Sequence, residues 1–125
     1  MNESQTAWES MTPEEKKQEL FRRQKRTLDL FLERNAISKA QYDKSLGDLI
    51  EKMGIEVITG VPDSTLKQFC DGLQTYGGGF RHYVTVNEGA AVGLAVGSFL
   101  ASGKPACIYM QNSGIGNAVN PLISL

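Results

Sequence analysis

Two rhythms of apolar spacing divide this 125-residue chain. Before Gly54 the rhythm is helical: Leu20, Phe21, Leu28, Phe31 and Leu32 recur on one face. The start of that helix is written in Thr12-Pro13-Glu14-Glu15, with a Thr cap, Pro at the first helical position and Glu three residues after the cap. Ser38 and Gln41 form a second capping box. Tyr42, Leu46, Leu49, Ile50 and Met53 follow at helical spacing, and Gly54 stops the helix. Asn35-Ala36-Ile37 is a short connection, which predicts an antiparallel helical hairpin.

After Gly54 the rhythm becomes strand, turn, helix. Ile55–Thr59 reads as a β-rich run ending at Gly60-Val61-Pro62-Asp63-Ser64, where Asp63 or Ser64 can cap the next helix. Leu66, Phe69, Cys70 and Leu73 mark the stripe that helix would bury. Gly77-Gly78-Gly79 reads as a flexible loop, His82–Val86 as a second strand and Asn87-Glu88-Gly89 as a loop. A helix over Ala90–Ala101 follows, built from small residues, with Gly93 and Gly97 one turn apart so that another backbone could approach closely. Gly103 ends it, Ala106–Gln111 is the third strand, and Asn112–Asn117 is a polar, Gly-containing loop opening a last helix. Three β-α units in succession predict an α/β fold, a parallel sheet with right-handed crossovers and flanking helices, preceded by the helical hairpin. Ligands of such sheets lie beyond the carboxyl ends of the strands, so residues 60–64, 87–89 and 112–117 are expected to cluster at one edge.

Charge sharpens the division. Residues 1–54 hold 10 of the 13 Lys and Arg and 10 of the 14 acidic residues, whereas residues 55–125 hold 11 of the 13 glycines. The first part reads as exposed helices and the second as a buried α/β segment. The basic cluster Lys16, Lys17, Arg22, Arg23, Lys25 and Arg26 is interleaved with Glu14, Glu15, Glu19 and Asp29, the signature of a solvated face more than of a nucleic-acid partner. The formal net charge of −1 points the same way. No apolar run approaches the roughly 20 residues of a membrane span. Met1–Thr12 lacks the pattern of a signal peptide, so a cytoplasmic location is expected. Cys70 and Cys107 lie among apolar neighbours without a CxxC-type partner and read as buried free thiols.

Most candidate chemistry fails on spacing. Gly114-Ile115-Gly116 falls short of a dinucleotide fingerprint, because Val119 stands where Gly or Ala is required and the loop opens the third unit instead of the first. His82, the single histidine, has no Cys or carboxylate at ligand spacing, so no metal site is expected and a packed or hydrogen-bonded histidine is. Ser64 and Ser113 lack a histidine at a recognisable offset and a nucleophile elbow. Glu88 is the odd residue. It follows an apolar strand and precedes an Ala/Gly helix, so burial is expected, and a buried carboxylate is costly unless protonated or hydrogen-bonded. It is either a carboxylate favoured by a helix N-terminus or a functional acid.

Gly60-Val61-Pro62-Asp63-Ser64, Asn87-Glu88-Gly89-Ala90-Ala91 and Tyr109-Met110-Gln111-Asn112-Ser113-Gly114-Ile115-Gly116-Asn117-Ala118-Val119-Asn120-Pro121-Leu122 together resemble the thiamine-diphosphate-dependent 2-oxoacid decarboxylases, above all the phosphonopyruvate decarboxylases, with the sulfopyruvate decarboxylases as near relatives. The resemblance covers about residues 46–125, as the first part of a pyrimidine-binding domain, and leaves residues 1–45 as a helical extension. It implies a lyase of organic phosphonate metabolism that uses thiamine diphosphate and Mg2+. In that family a glutamate at a strand end hydrogen-bonds the cofactor's pyrimidine ring and helps to remove the proton from its thiazolium carbon, and Glu88 matches it. Asn112, Ser113, Gly114, Gly116 and Asn117 would lie around the cofactor, and Asp63 and Ser64 on the substrate side. Asn112 and Ser113 stand where some related decarboxylases carry a pair of histidines, which suits contacts to an anionic substrate better than a pyruvate-type proton relay.

The family also implies a domain whose Asp and Asn hold the magnesium and diphosphate, and nothing in these residues matches it. The reading therefore expects a fragment or truncated product, inactive alone, with further strands and a diphosphate-binding domain or subunit in a homo- or hetero-oligomer. Missing strands would leave apolar edges exposed. The competing reading is a non-catalytic α/β remnant fused to a helical interaction module.

Overall fold

The computed structural model describes residues 3–76 and 78–125. Of the loop expected at Gly77–Gly79, Gly77 lies outside the described residues, as do Met1 and Asn2. Three helices open the chain: α1 (Glu3–Ser10), α2 (Pro13–Glu33) and α3 (Lys39–Met53). Both expected capping boxes are formed. The Thr12 amide donates to Glu15 Oε2 at 2.7 Å and the Glu15 amide to Thr12 Oγ1 at 3.2 Å. Ser38 and Gln41 repeat the exchange at 2.8 and 3.2 Å. Between α2 and α3 the chain reverses through Asn35, whose φ of 54° is the left-handed conformation that Asn tolerates better than most residues.

The apolar face expected on α2 splits in two. Phe21, Leu28 and Leu32 pack on the core, whereas Leu20 and Phe31 are 47% and 46% exposed. At 100° per residue, Leu20 and Phe31 share a row about 100° away from that of Phe21 and Leu32, and only one row meets α3. Trp8 of α1 folds onto the charged side of α2, its ring under Lys16 and Arg23.

The remainder alternates as β1 (Val57–Gly60), α4 (Lys67–Tyr76), β2 (Arg81–Val84), α5 (Glu88–Ser102), β3 (Ala106–Tyr109) and α6 (Ile115–Ile123), with single 3-10 turns leading into α4 and α6. The sheet is parallel, in the order β2-β1-β3, with Ile58 opposite both His82 and Cys107. Central β1 is buried throughout. On one face Ile58 joins Tyr42, Leu46 and Ile50 of α3 and Phe69, Cys70 and Leu73 of α4 in the main core. On the other face α5 packs on β1 and β3 and α6 packs on α5. Helix α3 runs unbroken through residues 45 and 46, so its buried side chains tie the N-terminal helices to the sheet.

Element ends differ from the sequence reading by two residues or so, for identifiable reasons. β1 starts at Val57 because the Ile55 amide is spent on Ile50 O, closing α3. Asn87-Glu88-Gly89 is a helix start and not a loop: Asn87 Oδ1 accepts from the Ala90 amide at 2.9 Å, so Glu88 is the first residue of α5. β3 ends at Tyr109 because Gln111 already accepts from the Gly114 amide in the turn that follows. Gly54 and Gly103 end α3 and α5 with φ near +70°, where a side chain would be strained. Both cysteines are free thiols, Cys70 buried and Cys107 half-buried.

Candidate active site

All three strands run the same way, so the segments after Gly60, Val84 and Tyr109 leave the sheet at one edge. These are the segments that carry the three sequence motifs. Glu88 stands there at 6% exposure, a charged group on the first turn of α5. Two neighbours define its carboxylate. Asn117, from the first turns of α6, donates its side-chain amide to Glu88 Oε2 at 2.9 Å. Gly114 gives it room: a Cβ there would lie 2.3 Å from Glu88 Oε1. Gly89 serves the same junction, because a Cβ on it would meet the Asn117 carbonyl at 3.0 Å. The helix N-terminus favours the negative charge, Asn117 satisfies one oxygen, and Oε1 accepts no hydrogen bond among the described residues.

The other expected site residues are disposed differently. Asn112 and Ser113 lie in the turn before α6 with exposed side chains that make no hydrogen bond among the described residues. Gly116 is exposed, with open space where a Cβ would be. Ser64 is exposed as well. Asp63 is turned to local use: its Oδ1 accepts from the Thr65 amide at 2.9 Å and the Thr65 hydroxyl at 2.6 Å, starting the turn into α4. Those Thr65 bonds hold the Asp63 carboxyl below the usual range. The Asp63 carboxylate thus makes no described contact with Glu88.

A second polar cluster, in which His82 is the hydrogen-bonded histidine expected and Tyr109 the partner that spacing did not name, lies across the α4 face of the sheet. His82 Nε2 and Tyr109 Oη are 2.8 Å apart, and the Tyr109 ring stands edge-on to Phe69. Burial first, and then the neighbouring Cys70, push the Tyr109 phenol up, and burial pushes His82 down. Because the unfolded chain takes up the His82 proton more readily, this stabilisation is present above the ordinary value of 6.5 and is lost as pH falls toward the lower folded value. The urea midpoint of the wild type should therefore fall on moving from about pH 7.5 to about pH 5.5, and that decrease should shrink in His82→Gln. An equal decrease in both proteins would place the titration elsewhere.

Among the described residues no group of three or more His, Cys, Asp or Glu side chains is placed to hold a metal ion, and no helix is long and apolar enough to cross a membrane. Thr59, fully buried in β1, has a hydroxyl with no hydrogen-bond partner among the described residues.

Part of the chain is similar to known proteins. Phosphonopyruvate decarboxylase of Streptomyces hygroscopicus is 39% identical over 74 residues, which are 58% of this chain and 18% of that protein. The sulfopyruvate decarboxylase alpha subunit of Methanococcus maripaludis is 32% identical over 72 residues, 58% of this chain and 42% of the subunit. Benzoylformate decarboxylase of Pseudomonas aeruginosa is 33% identical over 76 residues, 60% of this chain and 14% of the relative. The chain thus spans less than half the length of each of these relatives. No solved structure matches it. The family model of the thiamine pyrophosphate enzyme N-terminal TPP binding domain matches residues 41–125, beginning inside α3 and taking in the whole sheet and Glu88. The chain belongs to the thiamine pyrophosphate enzymes and carries their N-terminal TPP-binding domain fold.

Proposed function

We propose that this chain supplies the pyrimidine side of the active site of a thiamine-diphosphate-dependent 2-oxoacid decarboxylase, acting on 3-phosphonopyruvate to give phosphonoacetaldehyde and CO2. The observation that carries the reading is the buried Glu88 carboxylate, with one oxygen bonded to Asn117 and the other without a donor, at the carboxyl edge of a parallel sheet. A carboxylate so placed fits a heterocycle that can share a proton with it. When bound, thiamine diphosphate would supply the electron sink for loss of CO2.

The chain's own residues then have distinct tasks. Glu88 would hold or accept a proton at the pyrimidine ring nitrogen. Gly114 keeps the approach to Glu88 free of a side chain, and Asn117 fixes one carboxylate oxygen; exposed Gly116 would lie beside the cofactor. Asn112 and Ser113, exposed and unbonded, are available to polar groups of the cofactor or an anionic substrate. Ser64, and Asp63 through its turn, would border the substrate side. The magnesium and diphosphate would be gripped by a diphosphate-binding domain or subunit, in a homo- or hetero-oligomer and a cytoplasmic setting. Residues 1–45 would form a helical extension to the pyrimidine domain of residues 46–125.

Sulfopyruvate is the second substrate to consider. The phosphonate and sulfonate are similar tetrahedral anions, and a relative named as an alpha subunit of sulfopyruvate decarboxylase is 32% identical over 72 residues. The test mixes this chain with a diphosphate-binding domain, thiamine diphosphate and Mg2+, and measures CO2 from each acid. The mixture should turn over, with 3-phosphonopyruvate preferred, while this chain alone neither turns over nor holds the cofactor tightly in calorimetry. Micromolar, magnesium-dependent binding by the chain alone would contradict the division of labour, and turnover of neither acid would remove the substrate assignment.

A further inference from the structure

We propose that Asn117 is a positioning residue that acts on the chemistry through Glu88, by selecting which carboxylate oxygen is presented at the site. The inference rests on the functional reading above and assigns Asn117 a role distinct from direct contact with the cofactor. Its basis is geometric. The Glu88 carboxylate is nearly buried, yet among the described residues only Oε2 is satisfied, by the Asn117 amide at 2.9 Å. Oε1 lies over Gly114, where a Cβ would approach it to 2.3 Å, so the carboxylate can take this orientation only beside a glycine. The amide nitrogen donates and cannot accept, so Oε2 is held as the anionic, acceptor end. The free oxygen is left as the one able to exchange a proton with a ligand.

The anchor comes from a separate element, which makes it an adjustable constraint. Glu88 opens α5 and Asn117 stands on α6. The two helices meet where Gly89 lacks a side chain, with the Asn117 carbonyl 3.0 Å from the position of its absent Cβ. The carboxylate is therefore aimed by the α5–α6 junction as well as by its own rotamer. Groups that orient a reacting side chain are worth roughly 10- to 100-fold in activity when removed. The exposure of Asn117 means that truncating it leaves no cavity.

Two measurements test this, one without cofactor. In 15N-labelled chain, the Asn117 side-chain amide proton should resonate downfield in the wild type and move upfield in Glu88→Gln, whose neutral oxygen is a weaker acceptor. Identical positions in the two proteins would overturn the inference. In the chain loaded with thiamine diphosphate and Mg2+ beside a diphosphate-binding domain, exchange of the thiazolium C2 proton should slow roughly 10- to 100-fold in Asn117→Ala, measured below its melting temperature so that the protein is fully folded. Asn117→Asp, which replaces the donor by a like charge, should slow it at least as much. If Glu88→Gln slows exchange and Asn117→Ala does not, the positioning role is wrong and the proposed function stands. If Glu88→Gln itself has no effect, the functional reading fails and takes this inference with it.

Discussion

Replacing Glu88 with Gln should slow exchange of the thiazolium C2 proton by roughly 10²- to 10⁴-fold in the cofactor-loaded assembly, the span typical of a lost general acid–base group. The substitution keeps the size of the side chain and a hydrogen-bonding end, and removes the ability to share a proton with a ring nitrogen. Cofactor affinity should change far less, since the diphosphate and magnesium would be gripped elsewhere. The competing role for Glu88 is helix electrostatics alone, as the first residue of α5. A neutral side chain there costs at most about 1–2 kcal/mol of stability and has no route to the proton. The two roles separate cleanly in one NMR measurement of the exchange rate in wild type and Glu88→Gln. Equal rates, with a small drop in stability, would leave Glu88 a structural carboxylate and remove the central step of the proposed function.

What the sequence made legible follows the range of the interactions involved. Local signals were readable because one turn of chain contains both partners: Thr12 with Glu15, Ser38 with Gln41, and Gly54 and Gly103 at helix ends. The parallel α/β fold was readable because strand and helix periods alternate three times. The burial of Glu88 was readable from its apolar and small neighbours. Contacts between elements were not readable. The Asn117–Glu88 bond spans 29 residues and the His82–Tyr109 bond 27, and neither leaves a spacing signature. Asn87 was read as loop because an N-cap and a loop share the same residue preferences, and only the Ala90 amide on Asn87 Oδ1 distinguishes them. Asp63 was legible at short range: it was read as a cap for the following helix, and its bonds from Thr65 make it one.

The two faces of the sheet divide the labour. The face carrying α3 and α4 holds the main apolar core, closed by the helices that precede the sheet. The face carrying α5 and α6 ends in the Glu88 cluster, and its outer surface stays apolar, with Phe99 at 53% and Leu100 at 78% exposure. Some glycines here are required for close approach and others face open space, which makes glycine substitutions a sharp probe of the fold.

Gly60→Ala should strongly destabilise this chain, while Gly97→Ala should stabilise it. Gly60 ends the central strand in an ordinary conformation, since the positive-φ glycines among the described residues are Gly54 and Gly103. Its requirement is space. A Cβ would lie 2.3 Å from the Tyr109 carbonyl oxygen and 2.8 Å from the Tyr109 ring. The carbonyl belongs to the paired strand and cannot swing aside as a side-chain end would. Without a side chain at Gly60, the Tyr109 ring can cross β1 and reach His82 on β2. Adding the methyl must push β3 away or rotate Tyr109 off the core, and overpacking of this kind costs about 3 kcal/mol. Gly97 has open space at its Cβ position in the interior of α5, so alanine there should add about 0.5–1 kcal/mol through helix propensity. Urea unfolding of both variants, with unchanged slopes, gives the two signs directly. A Gly60→Ala protein as stable as the wild type would mean that Tyr109 does not lie across β1, and the His82–Tyr109 bond would fall with it.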